Sequence, residues 1–223
     1  MKKVIKKGFD KLTSIIDFII HIDTHLIEII QQYGTLTYLI LFLIVFCETG
    51  LVITPFLPGD SLLFVAGTLS SLGSLNIFVV YFSLLIAAIL GDALNYTIGK
   101  YLGIRILEKP NSRIIKKENI EKTQAFFEKH GPKTIVIARF MPIVRTFAPF
   151  LAGCGHMKYR KFLSYNIIGG FSWVTIFVFG GYFFGNIPFV RDNLTLLVIA
   201  IIVISLLPIV IVKILDKLKK QTA

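Results

Sequence analysis

The chain alternates long apolar runs with short polar breaks, and the lengths of those runs set the first expectations. Residues 12–31 place Ile15, Ile16, Ile19, Ile22, Leu26, Ile29 and Ile30 at helical spacing, with acids and histidines between them. That pattern predicts an amphipathic helix lying at a membrane surface. Leu36 to Phe46 is apolar but covers only about half of the ~20 residues a spanning helix needs. It runs into Cys47-Glu48-Thr49-Gly50, then Pro55-Phe56-Leu57-Pro58-Gly59-Asp60, before a second apolar run over Ser61–Leu69. Two prolines, two glycines and two acids predict a helix that breaks and re-enters. Broken backbone is tolerated at membrane depth only where protein or a polar cavity covers it.

Asn76 to Gly103 is long enough to span with tilt and carries Asp92, Asn95 and Tyr96 toward its end. Residues 104–133 read as a charged connector. The next apolar run, Thr134–Gly155, is interrupted by Arg139, Pro142, Arg145, Pro149 and Gly153, and again predicts a broken helix. Two further spans follow, Phe162–Gly185 and Leu194–Ile214, the last with a kink at Pro208. The expected organisation is an interfacial helix (1–33), a first repeat of helix, re-entrant hairpin and spanning helix (34–103), and a cytoplasmic connector (104–133). A second repeat of hairpin and spanning helix (134–185) and a final span with a basic tail (186–223) complete it.

The word "repeat" rests on an internal alignment. Asp60, Phe64, Ala66 and Gly67 align with Thr146, Phe150, Ala152 and Gly153. After a four-residue difference in length, Gly73, Gly99 and Gly103 align with Gly155, Gly181 and Gly185. Small residues at four-residue spacing let helices pack closely, and their shared order in two halves points to duplication. With both termini inside, Asn76–Gly103 runs outward to inward and Phe162–Gly185 the reverse. The expected fold is therefore an all-α polytopic membrane protein, an inverted repeat with two opposed re-entrant hairpins, an architecture used by transporters.

Composition agrees: 55% of residues are hydrophobic and 17% charged, against roughly 25% charged in soluble domains. The net charge of +11 could suggest nucleic acid, but position decides against it. Five lysines lie in 1–11, nine Lys/Arg in 100–133, three in 158–161 and four in 213–220, all flanking apolar runs. They follow the positive-inside rule and suit anionic lipid headgroups. Asp17, His21, Asp23 and Glu28 interrupt the stretch after the lysine-rich start, which argues against a cleaved signal. Cys47 and Cys154 read as small buried residues, and His21 with His25 as a polar helix face without a third metal ligand.

Between Gly34 and Gly99 the formal charges are Glu48, Asp60 and Asp92; between Thr134 and Met157 they are Arg139 and Arg145. A charge at mid-membrane costs roughly 2.5–3.5 kcal/mol on insertion scales, so these five are expected to converge on one polar cavity. The alternative is that they form structural salt bridges or sit at the interface, which for Asp92 is the favoured reading. Arg139 and Arg145, flanking Pro142, suit a phosphate clamp because guanidinium donates paired hydrogen bonds to phosphate oxygens. Glu48 and Asp60 are the candidate proton-coupling carboxylates. Asp92, Asn166 and Tyr96 are candidate supporting cavity groups, and Pro55, Pro58, Gly59, Pro142, Pro149 and Gly153 candidate hinges of the re-entrant segments.

Phe56-Leu-Pro-Gly-Asp60 with the preceding Glu48, Gly91-Asp92 with Tyr96, and Arg139-Phe-Met-Pro-Ile-Val-Arg145 followed by Gly153 and Met157 resemble the DedA family. That family shares the membrane domain called VTT or SNARE-associated, and the resemblance runs from about Gly34 to Gly185. It implies a multi-pass protein of the bacterial inner membrane, with both termini cytoplasmic, linked to lipid translocation and to the proton-motive force. It also implies transport roles for Glu48, Asp60, Arg139 and Arg145.

The leading expectation is a transporter moving a polyprenyl phosphate, foremost undecaprenyl phosphate, from the outer to the inner leaflet for carrier recycling. A general phospholipid flippase or scramblase is the main alternative, and a small-ion or proton exchanger a weaker one. An enzyme such as a lipid-phosphate phosphatase is disfavoured, because no histidine sits in a nucleophile or metal arrangement. The partners expected are the lipid substrate, protons, anionic membrane lipids and further copies of the chain in a homo-oligomer, with no nucleic acid, cofactor, metal or catalytic residue. Tyr96, Trp173 and Phe183 could line a lipid path, though packing or interfacial anchoring is the commoner role of such rings.

Overall fold

The computed structural model describes residues 28–30, 32–51, 59–107, 131–155, 157–185, 187–188, 196 and 200. The expected surface helix up to residue 27, Pro55 and Pro58, the connector over 108–130 and the last span lie outside the described residues. Every regular element among them is helical. Helix α1 spans Leu36–Gly50, α2 Gly59–Ser71 and α3 Ile77–Leu107. A single 3₁₀ turn, Gly131–Lys133, leads into α4 (Thr134–Ala138), followed by α5 (Pro142–Cys154) and α6 (Tyr159–Phe184).

Local chemistry sets several of these ends. After α2 the chain turns at Gly73, whose φ of 80° only glycine adopts without strain. There Ser74 N–H donates to the Leu69 carbonyl. Asn76 then caps α3, its side-chain oxygen accepting from the N–H groups of Phe78 and Val79 at 3.0 and 3.2 Å. The break between α4 and α5 follows from proline. Met141 is extended (φ −119°, ψ 103°), as the residue before a proline prefers, and Pro142 opens α5 where its missing N–H has no intrahelical role. One difference concerns α1: the helix runs on through Cys47, Glu48 and Thr49 and ends only at Leu51, which is extended.

Ile77–Leu102 and Tyr159–Phe184 are long and apolar enough to cross a membrane. Helices α2 and α5 have 13 residues each, about 20 Å at 1.5 Å per residue, against a hydrocarbon core of about 30 Å. The molecule is apolar outside and polar at its centre. Phe78, Phe82, Ile86, Leu90 and Leu94 recur every four residues along α3 and are all exposed, as are Ile168, Phe171, Ile176 and Phe183 on α6. Glu48, Asp92, Asn95, Arg139 and Asn166 are buried. Water would penalise that distribution; hydrocarbon suits it.

The helices pack crosswise in sequence: α2 lies along α6, while α5 lies along α3, and α1 also packs against α3. The contacts recur in register. Gly67 of α2 faces the Val178 carbonyl and Tyr182 N–H of α6, while Gly153 of α5 faces the Tyr96 carbonyl and Lys100 N–H of α3. Conversely, Gly181 lies against the Phe64 carbonyl and Gly99 against that of Phe150. Thr68 Oγ1 donates to the Gly181 carbonyl at 3.1 Å, and Cys154 Sγ to the Gly99 carbonyl at 3.3 Å. Each member of one set matches the sequence-aligned member of the other.

A Cβ at any of these four glycines would strike backbone, which cannot swing aside as a side chain does. Gly67→Ala and Gly153→Ala are each expected to destabilise the protein by about 1–3 kcal/mol, the usual range for overpacking. Thermal unfolding in detergent, followed by gel filtration of the surviving protein, measures this. Equal losses are expected at the two positions, because the contacts match.

Candidate functional site

Five charged side chains from both halves meet between the helices. Helix α1 supplies Glu48 in its last turn, α2 supplies Asp60 in its first, and α3 supplies Asp92 at mid-length. Arg139 sits in the turn after α4 and Arg145 in the first turn of α5. For Glu48, Asp60, Arg139 and Arg145 the placement follows from the helix breaks, since a side chain at a helix end can point along the axis into the centre rather than outward to lipid.

The cations divide the acids between them. Arg145 donates through Nη1 to Asp60 Oδ1 at 2.6 Å and through Nη2 to Glu48 Oε1. The Gly59 N–H also donates to that Glu48 oxygen, at 3.1 Å. Arg139 pairs instead with Asp92 Oδ2 at 2.5 Å, and its Nη2 reaches the Asn166 side-chain oxygen and the Ala88 carbonyl. Asn166 is held in turn by donating to the Ile89 carbonyl at 3.0 Å. Gly169 of α6 lies directly against the Arg139 side chain, where a Cβ would come within 3.1 Å of its Cδ, and Gly170 lies in ordinary contact range of its guanidinium.

So the two arginines do not grip one point together; they head two adjacent ion-pair groups. Trp173 of α6 stands between these groups. Its ring lies 5.0 Å from the Arg145 guanidinium and 5.8 Å from that of Arg139, and its Nε1–H donates to Asp60 Oδ1 at 2.8 Å. The centre is not saturated: Glu48 Oε2 and the Nε atoms of both arginines are buried with no hydrogen-bond partner among the described residues. The Ser61 hydroxyl beside Asp60 shares that state.

Asn95 ties the two halves behind the charges. Its side-chain amide donates to the Thr49 carbonyl at 3.0 Å and the Thr146 carbonyl at 2.8 Å, the residues next to Glu48 and Arg145. The first of these satisfies a carbonyl of the last turn of α1, which has no partner within its own helix. Tyr96 lies apart from the charges. Its hydroxyl donates to the Met157 carbonyl, and its ring packs on Phe162 and Tyr159.

Gly153 is likewise a packing contact on α3, and Pro149 lies within α5, where its missing N–H leaves the Arg145 carbonyl without its usual helical donor. Sequence reasoning missed Asn95 as a tie and Trp173 as a neighbour of both arginines. Asn95 stands three residues after Asp92 on the same helical face, a usable signal. For Trp173 the signal is weaker: one indole in an apolar span, with Asn166 two turns before it. Among the described residues no group of three or more His, Cys, Asp or Glu side chains is placed to hold a metal.

The comparisons with known proteins bear on what this centre belongs to. The VTT domain matches residues 57–183, a stretch containing four of the five central charges. Protein DedA of Escherichia coli (strain K12) is 59% identical over 89% of this chain and 92% of its own length. The chain belongs to the DedA family. Further DedA-family similarity extends to a protein of Mycobacterium leprae (strain TN) named Uncharacterized membrane protein ML0287, 46% identical over 74% of both chains. Inner membrane protein YghB of Escherichia coli (strain K12) is 32% identical over 79% of this chain and 78% of its own. No solved structure matches the chain. As a DedA-family protein with two membrane-capable apolar helices among the described residues, it is a membrane protein.

Proposed function

We propose that this DedA-family protein is a lipid transporter that carries an anionic phosphate headgroup across the membrane through its charged centre, with undecaprenyl phosphate as the foremost substrate. The observation that carries this is the pair of buried arginines flanking the one helix break between α4 and α5, each retaining an unpartnered Nε. Guanidinium is suited to phosphate, and burial among apolar helices removes the competition of water. The long hydrocarbon tail would stay in lipid, against the exposed faces of α3 and α6, so a small protein suffices.

In this reading the architecture is an inverted repeat, with α1–α2 and α4–α5 as two opposed re-entrant hairpins and both termini cytoplasmic. The matched glycine contacts support the repeat, and the short lengths of α2 and α5 support the hairpins. Proton coupling is supported by the charge count. Three carboxylates face two guanidiniums, so the centre is neutral only when one carboxyl holds a proton.

The test is flipping of a fluorescent polyprenyl phosphate in proteoliposomes, with and without a pH gradient, beside an Arg139→Ala/Arg145→Ala control. Gradient-sensitive flipping that the control lacks is the expected result. No flipping by folded, inserted protein would overturn the phosphate reading. Equal flipping of zwitterionic phospholipids would replace it with a general flippase or scramblase.

A further inference from the structure

We propose that Trp173 is a positioning residue that couples the two arginine groups: both guanidiniums rest on its one ring, and its N–H fixes the carboxylate facing Arg145. This rests on the reading of the arginines as the headgroup-handling groups. Three contacts converge on this side chain, which is almost fully buried: Arg145 at 5.0 Å, Arg139 at 5.8 Å, and Asp60 Oδ1 at 2.8 Å from Nε1. The acceptor oxygen is the one that Arg145 Nη1 also engages. Helix α6 presents this arrangement as a single stripe, Asn166, Gly169, Gly170 and Trp173, at the i, i+3, i+4, i+7 spacing of one helix face.

The physics favours tryptophan over any other side chain here. Indole offers the strongest ring face for a cation, and the attraction grows when water is excluded. Two like charges sharing one ring repel each other, and the ring offsets that repulsion for both. A guanidinium that shifts toward an anionic headgroup leaves the ring, changes the field at the other guanidinium and strains the hydrogen bond to Asp60. Movement at one arginine is thereby felt at the other and at the acid, without direct contact between the two cations.

The molecule carries its own probe, because Trp173 is its single tryptophan. The first measurement is the intrinsic emission of ligand-free full-length protein in detergent, compared with Arg139→Lys, Arg145→Lys and Asp60→Asn, each verified as folded by gel filtration. All three substitutions are expected to shift the emission. An unmoved spectrum in either lysine variant overturns the coupling. Titration with farnesyl phosphate, beside farnesol and inorganic phosphate, is then expected to move the emission in wild type and to lose that response in both lysine variants.

Transport assays separate positioning from packing. Trp173→Phe keeps a ring for the cations but loses the N–H to Asp60. It is expected to lower the maximal rate about tenfold or more, the equivalent of one hydrogen bond to a charged group, with little change in half-saturating lipid concentration. Trp173→Leu loses both contacts and is expected to weaken rate and half-saturation together. Equal behaviour of the two variants, with equal loss of thermal stability, would mark Trp173 as packing only and overturn the proposal. If equilibrium dialysis shows no binding of farnesyl phosphate to wild type, the phosphate reading fails, while the ligand-free emission series still decides the coupling on its own.

Discussion

Arg145→Lys is expected to lower transport about 10- to 100-fold while leaving the protein inserted and folded. The charge is retained, but the fork is not. Arg145 uses Nη1 for Asp60 and Nη2 for Glu48, carboxylates on two different helices. A lysine ammonium is a single point on a flexible stem and cannot hold both in the same geometry. Losing one charge-assisted hydrogen bond of this kind costs about 1.5–3 kcal/mol, which corresponds to the stated range in rate. Arg145→Ala is a harsher change. It leaves two buried carboxylates facing each other without a cation, and stripping one partner from a buried pair destabilises by about 3–5 kcal/mol. The lysine variant is therefore the informative one, measured as initial flipping rate per correctly inserted protein. Wild-type rates and unchanged ligand affinity in Arg145→Lys would remove the fork from the mechanism.

The second large effect concerns coupling. Asp60→Asn leaves two carboxylates with two guanidiniums, so the centre no longer needs a proton to be neutral. On the proposed mechanism this variant loses its dependence on a pH gradient, and the ratio of rates with and without the gradient falls to unity. Glu48→Gln makes the same change in count and is expected to behave alike. Its amide still accepts from the Gly59 N–H, which preserves the junction between α1 and α2. Residual transport in these variants distinguishes loss of coupling from loss of the site. Gradient dependence preserved in both would remove the two acids from any proton role.

Much of the architecture was legible from local pattern. The spans expected over Asn76–Gly103 and Phe162–Gly185 correspond to α3 and α6 within a few residues, because uninterrupted apolar length is a local property. The break after Arg139 was legible because Pro142 imposes it on its neighbour. The end of α1 was not. Cys47-Glu48-Thr49-Gly50 looks like an interruption, yet Glu48 stays helical with Arg145, ninety-seven residues away, as its partner.

The same limit applies to the site. Which charges would be buried could be read from their isolation within apolar runs. Which acid faces which arginine could not, since that depends on how α3, α5 and α6 pack. Arg139 and Arg145 look like one clamp along the chain. The turn between α4 and α5 and the indole of α6 give each its own acids. Asn95 was visible as a polar residue in its span, but its role as a tie was not, because its acceptors lie 46 and 51 residues away on α1 and α5.

The crosswise packing of α2 on α6 and of α5 on α3 has a consequence for how the protein is made. When α2 leaves the ribosome, the helix it will lie against is still about a hundred residues from being synthesised, as the Thr68–Gly181 contact shows. Asp60 at that moment has neither Arg145 nor Trp173, and Glu48 has no cation. Contacts of such long sequence separation form late and leave earlier segments exposed. The nascent first half must therefore wait, with its acids near water or in the care of the insertion machinery, until the second half supplies both the charge and the surface that let it settle.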